Sequence, residues 1–72
     1  MIYSSLDSFD KAVKDYSKAI ELEPKNAEAY FGRGIAHANI QNHDQSTEDL
    51  KASARLGHKD AQDNLKRRNI TW

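Results

Sequence analysis

Cysteine is absent from the 72 residues. Disulfide staples and thiolate zinc sites are therefore excluded, and an intracellular, cytoplasmic setting is expected. Net charge is absent too, since 11 Lys and Arg balance 11 Asp and Glu. No overall field draws such a chain to nucleic acid or to a membrane surface. No apolar run approaches the ~18 residues of a membrane-spanning helix, and the opening MIYSSLDSF has neither the basic nor the apolar region of a secretory leader. A soluble protein with no membrane partner is expected. Proline occurs once, at Pro24, and forms the strongest single break in the chain.

Length limits the rest. A chain this short forms one small domain and buries only about 60% of the surface it exposes when unfolded. Its core is marginal without help from a staple or a partner. Charge is uneven despite the balance: residues 1–24 carry three Lys against five acids, and residues 58–72 carry four Lys and Arg against two Asp.

Helical periodicity fills most of the chain. Phe9, Ala12, Val13, Tyr16, Ala19 and Ile20 recur at steps of three and four over residues 9–22, the pattern of an amphipathic helix. Asp7 or Ser8 is the expected cap, and Pro24 closes the helix because the residue before proline is pushed out of helical geometry. A second helix is expected over residues 27–40, with Ala27, Tyr30, Phe31, Gly34, Ile35 and Ala38 as its stripe. Asn42 followed by Gln45 resembles a capping box for a third helix, with Leu50, Ala54 and Leu56 inward and Gly57 as its stop. A shorter fourth helix runs from about Lys59 to Arg68, with Ala61 and Leu65 one turn apart. No segment alternates as a strand would, so the fold class is all-α.

The chain also resembles itself. A shift of 34 residues places Ala12 on Ser46, Tyr16 on Leu50, Ala19 on Ser53, Ile20 on Ala54, Ala27 on Ala61 and Phe31 on Leu65. A two-helix unit of that period is the spacing of a helical solenoid. These residues resemble the tetratricopeptide repeat family. Tyr30 holds the first aromatic place of its pattern, Gly34 the glycine, Ser46 the small residue of the second helix and Leu50 the second aromatic place. In the preceding partial repeat Tyr3, Ala12, Tyr16, Ala19 and Pro24 match. Four positions depart: Arg33 replaces Leu, His37 replaces Tyr, Ser53 replaces Ala and His58 replaces Pro.

The resemblance implies antiparallel helix-turn-helix repeats: a partial repeat over 1–24, a complete one over 25–58, and a capping helix with its tail over 59–72. In this frame the first helix of the partial repeat is reduced to residues 1–6. Ala12, Tyr16, Ala19, Pro24, Tyr30, Gly34, His37, Ser46 and Leu50 become the repeat-packing residues. Gly34 is expected to let two helices approach closely, offsetting the roughly 1 kcal/mol a helical glycine costs. Gly32 has no such place and leaves room for a neighbouring backbone or a ligand.

The family's first helices line a groove that holds partner peptides. By resemblance, Glu28, Phe31, Ile35 and Asn39 line it here, with Lys25 at the rim, and a non-catalytic protein-interaction module follows. An apolar or helical partner segment is the expected occupant. The alternative is that this helix is buried on both sides, in which case Phe31→Ala damages folding rather than binding. A second possibility is self-assembly, because Val13, Tyr16 and Ile20 are left partly uncovered at the truncated end.

Other signals carry less. Lys66, Arg67 and Arg68 fit the cationic last turn of a helix better than a phosphate site, although a small nucleic-acid-binding domain would use such residues. His37, His43 and His58 lack metal-ligand spacing. Gly32-Arg33-Gly34 follows a helix rather than a strand and is no dinucleotide fingerprint. Asn69-Ile70-Thr71 is a glycosylation acceptor only in form. Trp72 is expected to fold back with Ile70 over the last helix. No catalytic constellation and no cofactor site emerges.

Overall fold

Each expected stripe lies on a helix. The computed structural model describes the backbone of residues 5–72 and side chains from Ser8 onward. Four helices follow one another: α1 (Ser5–Leu22), α2 (Ala27–Asn39), α3 (His43–Arg55) and α4 (Lys59–Arg67). α1 packs on α2, α2 on α3, and α3 on α4. Connections of only three or four residues force consecutive helices to run antiparallel. The fold is all-α, three longer helices and a short fourth.

α1 already includes Ser5, the first described residue, ahead of both Asp7 and Ser8. Neither caps it, because both already sit in helical backbone. Ser5 and Leu6 thus belong to the same helix as Phe9, and are not a remnant of a preceding one. Tyr3 lies outside the described residues. The helix closes as Pro24 requires: the Glu23 N–H donates to Ala19 O (2.8 Å), and the chain turns through Pro24 and Lys25. Asn26 then caps α2, its side-chain oxygen accepting from the Ala29 N–H at 3.0 Å.

The other ends share one device. After α3, Gly57 (φ 97°) donates to Ala54 O and His58 to Ser53 O. After α2, Gln41 (φ 70°) donates to Ala38 O and Asn42 to His37 O. After α4, Asn69 (φ 57°) donates to Lys66 O and Ile70 to Leu65 O. All three are Schellman closures with a left-handed residue just past the helix. Only the Gly57 stop was visible in the sequence. Glutamine is strained in this region, so Gln41→Gly should raise stability by about 0.5–1 kcal/mol, read by denaturant unfolding; a loss would contradict the closure.

The α2–α3 turn also explains why the Asn42–Gln45 capping box does not form. Asn42 is at the cap position but makes no side-chain cap bond. Its N–H, which Gln45 would have satisfied, is already donated to His37 O at 2.8 Å. Leu56 is not inward either: as the cap residue just past α3 it stays 39% exposed.

The core lies among α2, α3 and α4. Leu50, Ala54, Ala61 and Leu65 are buried together, with Phe31, Ile35 and Ile70 packed against them. Ile70 seals the last helix, while Trp72 is 37% exposed and stands outside this cluster. From Ser8 onward no α1 residue is buried.

Candidate functional site

Two faces of α2 carry different chemistry. One meets α3 closely at Gly34, where an added Cβ would stand 3.1 Å from Leu50 Cγ, 3.2 Å from Ser46 O and 3.3 Å from Asp49 Cβ. Ser46 and Leu50 are buried beneath it. Ser53 Oγ donates to Ala27 O at 2.8 Å and ties the end of α3 to the start of α2. Its hydroxyl thus has a use that alanine at that place would lack.

Arg33 and His37 interlock on the neighbouring turns. Arg33 Nε and Nη2 donate to the two Asp49 carboxylate oxygens, both at 2.8 Å, and Nη1 donates to Ser17 Oγ at 3.1 Å. One side chain therefore bridges α1, α2 and α3. The hydrogen bonds that Arg33 donates to Asp49 hold the pKa of its guanidinium above the ordinary value, against the opposing effect of partial burial. Its guanidinium also lies 5.6 Å from the Tyr30 ring centroid. His37 is buried with Nε2 3.7 Å from the same carboxylate, and its Nδ1 has no hydrogen-bond partner among the described residues. Both departures from the family pattern thus converge on Asp49, whose partner 16 residues away no local spacing could reveal.

The opposite side of α2 is open. A cleft of about 410 Å³ runs between α1 and α2 to the start of α4. Phe9, Ala12 and Tyr16 form the α1 wall, Glu28, Phe31 and Ile35 the α2 wall, and His58 and Asp60 one end. Gly32 makes room for a side chain of this cleft rather than for a backbone, because a Cβ there would fall on the Tyr16 ring. Phe31 has two duties. Its ring stacks on His58 at 4.5 Å and packs against the core cluster, and the same residue lines the cleft.

Glu28, Phe31 and Ile35 are thus brought together. Lys25 lies in an adjoining hollow of about 600 Å³ that shares Glu28 with the cleft. Asn39 is not brought in: it is exposed at the end of α2, and its Nδ2 donates to Ile35 O at 2.9 Å. Of the repeat-packing set, Gly34, His37, Ser46 and Leu50 are buried, Ala12, Ala19 and Tyr30 half-buried, and Tyr16 and Pro24 exposed. Val13 and Tyr16 line different hollows, Val13 facing the polar one around Arg33 and Asp49; Ile20 is half-buried. His58 and Asp60 were not expected in the cleft. His58 replaces the usual proline, and its Nδ1 accepts from the Ala61 N–H at 3.3 Å, so it caps α4 and brings Asp60 alongside.

At the far end Arg68 reaches Thr47 Oγ1 (3.0 Å) and Asn64 Oδ1 (3.2 Å), and Arg67 donates to Asp63 O (3.4 Å). These arginines close α4 and tie it to α3. Among the described residues no cluster of three metal-ligating side chains occurs, and no helix is long and apolar enough to cross a membrane.

The TPR repeat family matches residues 2–41, more than half of the chain. The chain belongs to the tetratricopeptide repeat family. Comparison with curated proteins and with solved structures returns no match. TPR repeats are in general protein–protein interaction modules without catalytic activity. For this TPR chain, the match covers α1, α2 and the turn after them, the two helices that form the long walls of the cleft.

Proposed function

We propose that this TPR chain is a non-catalytic interaction module that holds a segment of a partner protein in the α1–α2 cleft. The observation carrying this reading is the cleft's lining. Aromatic and aliphatic side chains from two helices face an open space, with Glu28 and Asp60 at its border. That combination suits an apolar segment flanked by a few polar contacts.

Photocrosslinking groups at Phe9, Glu28 and Lys18 test it. Lys18 is on the exposed side of α1. Crosslinks to one partner from Phe9 and Glu28 but not from Lys18 are expected; labelling from Lys18 alone would overturn the reading. Gly32→Ala adds a second check. The Tyr16 ring is at the protein surface and can swing aside, so stability should change by less than about 1 kcal/mol. The cleft would nonetheless be reshaped, and crosslinking from Phe9 should fall.

Self-association is the second reading, favoured by Leu22 at 77% exposed and Tyr16 at 36% on the same helix. It predicts a mass that grows with concentration.

A further inference from the structure

Gly32 and Gly34 stand two residues apart on α2, hence on roughly opposite sides of the helix. Different atoms meet them. At Gly34 an added Cβ would meet Leu50, the Ser46 carbonyl and Asp49, so helix backbone takes part and the contact is fixed. At Gly32 the three nearest atoms all belong to one ring, the Cζ, Cε1 and Cε2 of Tyr16. That ring is movable. Tyr16 is 36% exposed, and among the described residues no hydrogen bond holds its hydroxyl. Its neighbour Ser17 is anchored by Arg33 at 3.1 Å, so the ring can turn while α1 stays in place. Glu28, Gly32 and Ala36 follow at four-residue steps along α2 and line the cleft together. Bare backbone in the middle of this row gives a flat ring a place to lie.

We infer that Tyr16 is a gate on the cleft: its ring covers the Gly32 seat when the cleft is empty and swings out to admit an occupant. The inference rests on the proposed function and adds the regulation of that site. An aromatic side chain on a helix has two open χ1 positions. One lays the ring on Gly32, and the other takes it off the seat. Covering the seat is an autoinhibitory contact, because an occupant binds only the fraction of chains whose ring is out. The gate also gives Gly32 a use. Alanine there would lift the ring and put a methyl group in the seat, whereas glycine leaves the place to whichever ring arrives.

p-Cresol, the tyrosine side chain as a free molecule, is the probe. It is titrated into the isotope-labelled 72-residue chain and into Tyr16→Ala, whose helicity is checked by circular dichroism. Saturable shifts at Gly32, Phe31 and Ala36 are expected in Tyr16→Ala. The unsubstituted chain should bind at the same residues about tenfold more weakly, as for a ring that is out about one tenth of the time. Equal affinities would show that Tyr16 does not cover the seat and would overturn the gate. Binding to Tyr16→Ala alone would overturn it too, by making Tyr16 a fixed packing residue. Binding to neither would overturn the seat. A further check needs no variant: the Gly32 Hα signals should lie upfield under the Tyr16 ring, and ordinary positions would overturn the gate. Crosslinking from Phe9 to a partner should rise in Tyr16→Ala and fall in Gly32→Ala. Its absence from every chain, with p-cresol binding as expected, would overturn the interaction module and leave the gate standing.

Discussion

Gly34→Leu is expected to destabilise the protein by about 2 kcal/mol and to lower its thermal midpoint by roughly 8–16 °C. The backbone of α2 approaches α3 so closely that even a Cβ would stand 3.1–3.3 Å from Leu50, the Ser46 carbonyl and Asp49. Three further carbons have no space in that contact. The Ser46 carbonyl is helix backbone and cannot swing aside. Overpacking of this kind costs about 3 kcal/mol, against about 1 kcal/mol regained by removing a helical glycine. A domain of this length is stable by roughly 4–10 kcal/mol, and one lacking staples belongs near the lower end. Gly34→Ala should shift stability by less than about 1 kcal/mol, because a few tenths of an ångström of movement admit one methyl group. Thermal unfolding followed by circular dichroism separates the two variants. An unchanged midpoint for Gly34→Leu would contradict the close approach.

Arg33→Leu is expected to cost about 3 kcal/mol, although leucine is the residue the family pattern favours there. The reason is Asp49, whose side chain is only 10% exposed and takes both of its close hydrogen bonds from Arg33. Without the guanidinium a charge remains in a largely dry contact between helices. The third bond, to Ser17 on α1, is lost as well. Replacing both partners, Arg33→Leu with Asp49→Leu, should recover most of the loss, because no unpaired charge is left. The double-mutant cycle measures this as a coupling of about 2 kcal/mol or more. Additive losses would show that the bridge contributes nothing beyond its separate side chains.

These residues also show where sequence reading succeeds and where it stops. The ends of α1 and α3 were legible because Pro24 and Gly57 act on their own backbone. The stripes of α2 and α4 were legible because core residues repeat every three or four positions. The start of α1 was not, since Asp7 and Ser8 suit a cap and a first turn equally. Gln41 and Asn69 take left-handed conformations that glycine would have advertised and they do not. Arg33 stood in the sequence only as a departure from the family pattern, and its use shows in the carboxylate that another helix brings within 2.8 Å. The cleft was half legible. Its α2 wall follows from one helical stripe, but Phe9, Ala12 and Tyr16 read equally as packing residues. Only the open space that these three share with Glu28, Phe31 and Ile35 distinguishes the two uses.

The most direct test is molar mass by light scattering across a concentration series, with helicity followed in parallel. The core joins residues of α2, α3 and α4 within one chain, so the account predicts an 8.2 kDa monomer whose helicity survives dilution and whose cleft stays open to a foreign protein. A dimer that loses helicity as it dissociates would contradict it, because the helices would then depend on a second copy rather than on the core of one chain.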